Sequence, residues 1–314
     1  MNSNEDPKNP FLSIILCTYN GQNYLKQQLD SLLAQSYDHF EVVALDDRSQ
    51  DETYAILCSY AEKDKRIVAE QNNQQLGLNQ NFEKGIRKAK GSYLLICDQD
   101  DVWMPNKLEE LVSNLNGSLL YFHNSNYMDA DDRLLGKTLS DKFRMRSNPH
   151  PLAFLLLNSI TGHTCMFDRS LIDRNLLPFP SMVYYDNWVG FIASLNGSCT
   201  YIDRCLVNYR MHGKNFAASK RKPKRLNAAL RLQFQKHMIA FGNAFPDNSP
   251  TRQWLLRIAK TYETQSMRNN LARGLLLASN FRLLTQFRKK NQLHSLALCI
   301  KMAYKPLPNQ MPQA

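Results

Sequence analysis

Short apolar runs alternate with amphipathic stretches from the start of the chain to residue 132. Residues 12–17, 40–45 and 92–97 are compact, apolar and rich in aliphatic side chains, which is typical of buried strands. Residues 22–35 and 79–90 separate these runs and carry apolar side chains at helical spacing. Strands that alternate with helices of this length predict an α/β fold with a mostly parallel sheet and helices on both faces.

The remaining apolar segments extend this pattern. We expect further helices at 52–62, 105–115 and 183–195, and further strands at 66–69, 119–123, 164–167 and 200–209. Residues 152–157 form an apolar run that fits a buried helix or a buried strand equally well. From residue 220 onward apolar side chains recur at helical spacing, so the sequence predicts an all-helical C-terminal region.

The charge of the chain changes sign near residue 214. Residues 214–314 contain 19 Lys and Arg but only 2 Asp and Glu, a formal charge of +17. The first 213 residues contain 20 basic and 26 acidic side chains, a formal charge of −6. Together with the change to a helical pattern, this asymmetry predicts an α/β domain over 1–218 and a basic helical region over 219–314.

Composition excludes several classes of protein. The chain is 43% hydrophobic and has no apolar stretch of 18 or more residues, so we expect no transmembrane span. The first ten residues lack the basic and apolar segments of a secretory signal. The seven cysteines are scattered without a CxxC pair, which indicates reduced core thiols. These features together predict a cytoplasmic protein.

Carboxylates cluster directly after two of the predicted strands. Asp46 and Asp47 follow the second strand, and Asp98, Asp100 and Asp101 follow the fourth. Aspartate is common in turns and helix caps, and that structural role suits an isolated pair. Three acids in four residues repel one another, and a divalent cation with oxygen ligands would offset their charge. Because ligands bind at the carboxyl ends of parallel strands, we expect a cation here that bridges protein and substrate diphosphate.

Seven short segments form a series of motifs along the chain. They are Cys17-Thr18-Tyr19-Asn20, Asp46-Asp47-Arg48-Ser49-Gln50-Asp51, Gln75-Leu76-Gly77-Leu78-Asn79, Asp98-Gln99-Asp100-Asp101-Val102-Trp103, Ile160-Thr161-Gly162-His163, Tyr185-Asp186-Asn187-Trp188 and Tyr209-Arg210-Met211-His212. In this order the series resembles glycosyltransferase family 2, a GT-A fold family of inverting enzymes. It is most similar to a rhamnosyltransferase-like bacterial subgroup, and the resemblance covers residues 12–218.

The resemblance implies a role for each matched side chain. The donor-binding set would be Thr18, Tyr19, Asn20, Asp46, Asp47, Asp98 and His163. Asp100 would be the principal ligand of Mg²⁺ or Mn²⁺, with Asp98 and His212 as further ligands. Asp186 would be the catalytic base, which takes a proton from the acceptor hydroxyl as its oxygen attacks the anomeric carbon. A partly desolvated carboxylate has a pKa suited to that role.

Some of these residues also have a purely structural interpretation, and some positions depart from the family's pattern. Asp186 could be a helix N-cap, and His212 could be an ordinary turn residue. Arg48 stands where the family usually has Gly, His163 where the subgroup has Cys, and Tyr185 where it has His. We therefore expect Arg48 either to alter its loop or to place a cation near phosphate, and His163 and Tyr185 to alter the specificity for the sugar or the acceptor.

The resemblance also implies the partners. The sugar would move from dTDP-rhamnose or a UDP-sugar to a cell-surface glycan, such as a lipid-linked O-antigen or capsule intermediate. Basic helices with an apolar face bind anionic membrane surfaces, so we expect peripheral attachment at the inner face of the cell membrane. The basic segment 220–225 would also suit a nucleic acid, but no nucleic-acid-binding module accompanies it, and none is predicted as a partner.

Other classes of protein explain the pattern less completely. A Rossmann-type oxidoreductase needs a GxGxxG motif after the first strand, where only Gly21 occurs. A processive polysaccharide synthase would carry membrane spans and a Gln-x-x-Arg-Trp motif, which residues 252–254 do not match. A non-catalytic protein that binds nucleotide sugars or nucleic acid is the alternative, although it would not need the acidic set together with Asp186.

Overall fold

The computed structural model describes residues 9–213 and 228–302 of the chain. The described strands form one sheet: β1 (Leu12–Thr18), β2 (Phe40–Asp46), β3 (Ile67–Gln71), β4 (Tyr93–Cys97), β5 (Val102–Trp103), β6 (Leu120–Met128), β7 (Leu134–Thr138), β8 (Cys165–Asp168) and β9 (Cys199–Arg210). The described α-helices are α1 (Leu25–Leu33), α2 (Thr53–Lys63), α3 (Leu78–Lys88), α4 (Lys107–Ser113), α5 (Leu139–Lys142), α6 (Tyr185–Asn196), α7 (Ala228–Asn243), α8 (Pro250–Lys260), α9 (Met267–Ser279), α10 (Phe281–Leu284) and α11 (Gln292–Met302). Three short 3₁₀ helices are described, at Pro151–Leu155, Gly162–Thr164 and Arg169–Arg174.

The sheet is parallel in one half and mixed in the other. Its strand order is β3-β2-β1-β4-β8-β6-β9-β5, and β7 pairs with β6. Strands β3, β2, β1 and β4 run parallel to one another. Strand β8 is antiparallel to both β4 and β6, whereas β6 and β9 run parallel. The predicted α/β fold is confirmed, and the hydrophobic pattern does not reveal the antiparallel pairings of β8 with β4 and β6, of β5 with β9 and of β7 with β6.

Both faces of the parallel half are buried, which explains its continuous apolar strands. In β1, Leu12, Ile14 and Leu16 enter one apolar cluster, while Ile15 and Cys17 enter a second cluster on the opposite side. Helices α1, α2 and α4 supply leucines and an isoleucine to the first cluster, and α3 contributes to the second. A strand that is covered on both faces has no reason to alternate polar with apolar residues.

The C-terminal helices pack onto the second cluster. Phe241 of α7 lies 4.3 Å from Phe191 of α6 between ring centroids, and Phe287 lies 5.0 Å from Phe154. The predicted helical character is confirmed for residues 228–302. The predicted boundary between residues 218 and 219 and the basic segment 220–225 lie outside the described residues. None of the helices that the structure describes is long and apolar enough to cross a membrane.

A few local expectations need correction. Tyr184 is the N-cap of α6, so Asp186 lies inside the first turn and the interpretation of Asp186 as a cap is wrong. The apolar run 152–157 contains a 3₁₀ segment instead of a regular helix or strand. Strands β5 and β7 are absent from the prediction, because β5 has only two residues and β7 is largely exposed and lacks an apolar pattern.

Candidate active site

The carboxyl ends of β1, β2 and β4 meet at one edge of the sheet. Strand β1 lies between β2 and β4, and its register sets Thr18 beside Asp46. Asp98 directly follows the last residue of β4. The loops that leave these three strands therefore border one common space, where parallel sheets bind their ligands.

The two carboxylates at the end of β2 are engaged within the protein. Asp46 and Asp47 are only 0% and 4% exposed. Thr18 Oγ1 donates to Asp46 Oδ1 at 3.0 Å. Asp47 accepts hydrogen bonds from the backbone N–H groups of Leu76 and Gly77 at 2.7 and 2.8 Å. Both carboxylates thus fix the loops that surround the common space.

The loop after β1 is fastened to the loop after β4 by one side-chain amide. Gln99 Oε1 accepts from the N–H of Tyr19 at 2.9 Å, and Gln99 Nε2 donates to the Tyr19 carbonyl at 3.1 Å. A Cβ at Gly21 would overlap this amide, so a larger residue there would displace the Gln99 side chain from Tyr19. Tyr19 and Asn20 are the exposed part of the loop and are the predicted donor-binding residues most open to a ligand.

Asp98, Asp101 and His163 form a group that we call the inner cluster. His163 Nδ1 lies 3.8 Å from Asp98 Oδ2 and 3.9 Å from Asp101 Oδ2. Asp101 is fully buried, and its Oδ2 accepts no hydrogen bond within the described residues. Burial, followed by the charges of Asp100 and Asp98, raises the pKa of Asp101 well above its ordinary value. Burial likewise raises the pKa of Asp98.

Asp100 and His212 form a second group, the outer pair. His212 Nε2 lies 2.8 Å from Asp100 Oδ2, and the His212 ring is 4.9 Å from the ring of Tyr24. Arg210, at the end of β9, donates its Nε to the Asp100 carbonyl at 2.8 Å. The backbone N–H of Arg210 donates to Asp101 Oδ1 at 3.0 Å. The end of β9 therefore holds the acidic loop that follows β4.

Lys107 places a buried cation next to the inner cluster. Its Nζ donates to the His163 carbonyl at 2.8 Å and lies 3.3 Å from the centre of the Trp103 ring. Burial lowers the pKa of Lys107 to about 7, and the surrounding thiols and carboxylates oppose this change. A cation in this position offsets part of the negative charge at the end of β4.

Asp186 approaches the same carboxylates from α6. Burial raises the pKa of Asp186 to about 7, although the N–H of Asn187 donates to its Oδ1 at 2.6 Å. The charge of Asp186 also contributes to the raised pKa of Asp98. The neighbouring Tyr185 hydroxyl donates to Asp98 Oδ1 at 3.4 Å, and a Cβ at Gly162 would overlap that hydroxyl. The first turn of α6 and the end of β4 therefore line one site.

The side chains at this edge suit a hard divalent cation. The carboxylate and imidazole of the outer pair offer oxygen and nitrogen ligands that Mn²⁺ accepts, and Mg²⁺ prefers the oxygens. In the inner cluster, three candidate ligand atoms lie within 4.8 Å of one another. The buried Asp101 Oδ2 lacks a hydrogen-bond partner among the described residues, which also indicates that a positive group belongs nearby.

The structure places four of the predicted site residues at one edge of the sheet, with a different grouping from the one predicted. Asp98, Asp100, Asp186 and His212 all lie at this edge. Asp98, however, faces His163 in the inner cluster instead of joining the outer pair.

Three important side chains are missing from the predicted set: Lys107, Arg210 and Gln99. Lys107 had a usable signal, because it lies four residues before Leu111 on the apolar side of α4, where a charge is unusual. Arg210 and Gln99 lie inside recognised motifs, but nothing in the sequence separates them from neighbouring polar residues.

Comparison with known proteins agrees with this geometry. The family model described as Glycosyl transferase family 2 matches residues 13–175, which is over half of the chain. The chain belongs to glycosyltransferase family 2. The matched residues include the ends of β1, β2 and β4 and the inner cluster, whereas Asp186 and His212 lie beyond them.

Curated relatives of the chain are glycosyltransferases of microorganisms. An uncharacterised glycosyltransferase of Rickettsia prowazekii is 31% identical, and the match covers 65% of this chain and 64% of that protein. The UDP-Glc:alpha-D-GlcNAc-diphosphoundecaprenol beta-1,3-glucosyltransferase WfaP of Escherichia coli is 26% identical, over 67% of this chain and 81% of the relative. The putative teichuronic acid biosynthesis glycosyltransferase TuaG of Bacillus subtilis is 28% identical, over 68% and 84%.

Solved structures show the same fold at low sequence identity. Residues 1–349 of TarS from S. aureus, in complex with UDP-GlcNAc, superpose with a TM-score of 0.59 at 17% identity, covering 87% of this chain and 81% of that one. The mannosyltransferase PcManGT from Pyrobaculum calidifontis, in complex with GDP-Man and Mn²⁺, gives 0.51 at 19% identity, over 96% and 82%. The fold is therefore that of the GT-A glycosyltransferases.

Proposed function

We propose that this protein is a metal-dependent, inverting glycosyltransferase that uses a nucleotide-diphosphate sugar. Its main support is the convergence of Asp98, Asp100 and Asp186 with His212 at the carboxyl edge of the sheet. Residues 1–218 would form the transferase domain, and the helical region 219–314 would serve attachment. A carboxylate with a raised pKa that lies beside other acidic groups in one site is typical of catalytic sites.

Asp186 is the catalytic base in this proposal. Its pKa of about 7 lets it be ionised at neutral pH and still hold a proton that it has accepted. It takes the proton of the acceptor hydroxyl while the hydroxyl oxygen attacks the anomeric carbon from the face opposite the nucleotide. The bond from that carbon to the diphosphate oxygen breaks, so one displacement inverts the configuration.

Asp100 and His212 are the residues that would hold the Mg²⁺ or Mn²⁺ ion, with Asp98 nearby. A bound divalent cation supplies charge neutralisation for the diphosphate that leaves. Arg210 donates to the Asp100 carbonyl and Lys107 donates to the His163 carbonyl, so both side chains hold the backbone around this site. Thr18, Tyr19, Asn20, Asp46, Asp47, Asp98 and His163 line the donor side in the proposal.

The donor in this proposal is a UDP-sugar or dTDP-rhamnose, and the acceptor is a lipid-linked cell-surface glycan. The Escherichia coli relative, whose name specifies UDP-Glc and a diphosphoundecaprenol acceptor, supports this choice. The Bacillus subtilis relative is named for synthesis of a cell-surface polymer. An acceptor with a lipid anchor would require the enzyme to work at the inner face of the cell membrane.

The proposal is tested with a panel of nucleotide sugars. Hydrolysis and transfer are measured with Mg²⁺, with Mn²⁺ and with EDTA, for the wild type and Asp100→Ala. Turnover of one donor that needs metal and is lost in the variant is the expected result. Binding of a donor without any turnover would instead favour the non-catalytic nucleotide-sugar-binding protein.

A further inference from the structure

Helix α9 presents a row of apolar side chains to solvent. Met267, Leu271 and Leu275 are 84%, 57% and 64% exposed. They follow one another at intervals of four residues, so they lie on the same side of the helix. Arg273 and Leu277 lie on the other side of the helix and are buried, and Gly274 is buried at the edge of the row. The row is therefore distinct from the face that holds α9 in the fold.

Helix α11, which packs against α9, repeats this arrangement. Leu293 and Ile300 are 77% and 48% exposed, and their spacing of seven residues sets them on one side. Cys299 and Met302 lie on the buried side. Two helices that pack against each other thus each turn large apolar side chains toward solvent, and large exposed apolar patches mark interaction sites.

The chain around these two apolar rows is strongly basic. Arg268 in α9, Lys289 and Lys290 before α11, and Lys301 in α11 are all exposed. Residues 228–302 contain 12 Lys and Arg against 2 acidic residues. Helices that combine an apolar row with flanking cations lie in the interface of anionic bilayers.

We propose that the exposed rows of α9 and α11 are the surface by which the protein docks on an anionic lipid bilayer. The inference rests on the proposed function, because a lipid-linked acceptor requires the enzyme to meet a membrane. The apolar side chains would enter the boundary between headgroups and acyl chains, and the cations would contact lipid phosphates. A second copy of the chain fits less well, since two such basic surfaces repel each other.

Vesicle sedimentation of the full-length protein tests this surface. The vesicles contain phosphatidylcholine alone or phosphatidylcholine mixed with phosphatidylglycerol. One variant carries Met267→Gln, Leu271→Gln and Leu275→Gln, and another carries Leu293→Gln and Ile300→Gln. We expect wild type to bind the mixed vesicles preferentially, and each variant to bind them at least about tenfold more weakly.

A matched control replaces exposed apolar side chains elsewhere. Leu134→Gln with Leu135→Gln in β7, which are 59% and 45% exposed, should leave vesicle binding unchanged. Circular dichroism checks that each variant remains folded. Loss of binding in only one helix variant, or in neither, would overturn the two-helix surface.

Two further measurements separate this inference from its alternatives. Light scattering of the wild type should show a monomer; a dimer that both helix variants dissolve would assign the surface to a second copy. Hydrolysis of a water-soluble nucleotide sugar should be equal in wild type and both variants. If hydrolysis persists while vesicle binding is absent in wild type, the transferase stands and the docking surface fails. If vesicle binding follows the expectation but no donor is turned over, the docking surface stands and the transferase fails.

Discussion

His212 Nε2 lies 2.8 Å from Asp100 Oδ2, although the two residues are 112 positions apart in the chain. The contact joins the segment after β9 to the loop after β4, so the site is complete only when the end of the sheet has folded. An aspartate and a histidine in this contact can take one of two roles. Each could be the other's hydrogen-bond partner, or both could be ligands of one cation.

The metal role of the outer pair predicts a change in cation affinity. Asp100→Asn and His212→Ala should each weaken Mn²⁺ binding by about tenfold or more, because each removes one ligand. Calorimetric titration of Mn²⁺ into the purified protein measures this directly. The matched control is Asp173→Asn, which changes an exposed aspartate in the 3₁₀ segment Arg169–Arg174 and should bind like wild type. Equal affinity in all four proteins would mean that the outer pair is only a hydrogen bond.

The pKa of Asp186 predicts the pH dependence of turnover. Below pH 7 the carboxyl group is increasingly protonated and cannot accept the acceptor's proton, so kcat should rise with pH and level off above about 7. Asp186→Asn should lower kcat by about 10²–10⁴-fold, the range of general base catalysis, with little effect on the donor KM. Steady-state kinetics across pH measure both quantities. A variant with near-normal kcat would remove Asp186 from the chemistry.

The raised pKa of Asp186 also predicts that the protein loses stability as the pH rises, whereas turnover increases. Burial raises the pKa of Asp186 in the folded protein above its value in the unfolded chain, so the folded state favours the protonated form. Stability is then highest at low pH and is lost as the pH rises through about 7. Asp186→Asn should raise the free energy of unfolding at pH 8 by about 1–2 kcal/mol and change it little at pH 4. Urea unfolding at the two pH values checks the sign.

The hydrophobic pattern of the sequence predicted where the strands end better than it predicted which side chains meet there. Asp98 and Asp100 could be assigned to the carboxyl edge because an uninterrupted apolar strand ends just before them. The resemblance groups Asp100 with His212, which lie together in the structure, but that Asp98 faces His163 instead could not be predicted. It depends on where the 3₁₀ segment Gly162–Thr164 packs beside β4, a tertiary arrangement without a periodic signal.

Lys107 stands out in the sequence as a charge on the apolar side of α4, and its position in the structure gives a further prediction. Lys107→Met should lower the free energy of unfolding by about 3 kcal/mol, because it removes the buried cation next to the buried Asp101 and the partly exposed Asp98. Lys88→Met, which breaks an exposed pair with Glu70, is the control and should cost less than about 1 kcal/mol. Urea unfolding compares the two. Added Mg²⁺ should restore part of the loss in Lys107→Met, and similar losses in both variants would contradict a charge-balancing role.

Arg48 occupies a position whose backbone explains why the resembled motif has glycine there. Its φ is 65°, in the left-handed region that an ordinary L-residue adopts only at a cost of roughly 1–2 kcal/mol. Arg48→Gly should therefore raise the free energy of unfolding by about 1 kcal/mol, the relief of strain less the extra entropy of glycine in the unfolded chain.

The neighbouring exposed residue supplies the contrast for this change. Gln50→Gly, at a position without a positive φ, should lower the free energy of unfolding by about 0.5–1 kcal/mol. Arg48→Ala keeps the strained backbone and removes the side chain, so it should leave stability nearly unchanged. Comparable stabilisation by Arg48→Ala and Arg48→Gly would show that the guanidinium, and not the backbone, was responsible. A donor KM that rises in both Arg48 variants would further assign the side chain to the nucleotide, whereas a rise in neither would confine its effect to the loop.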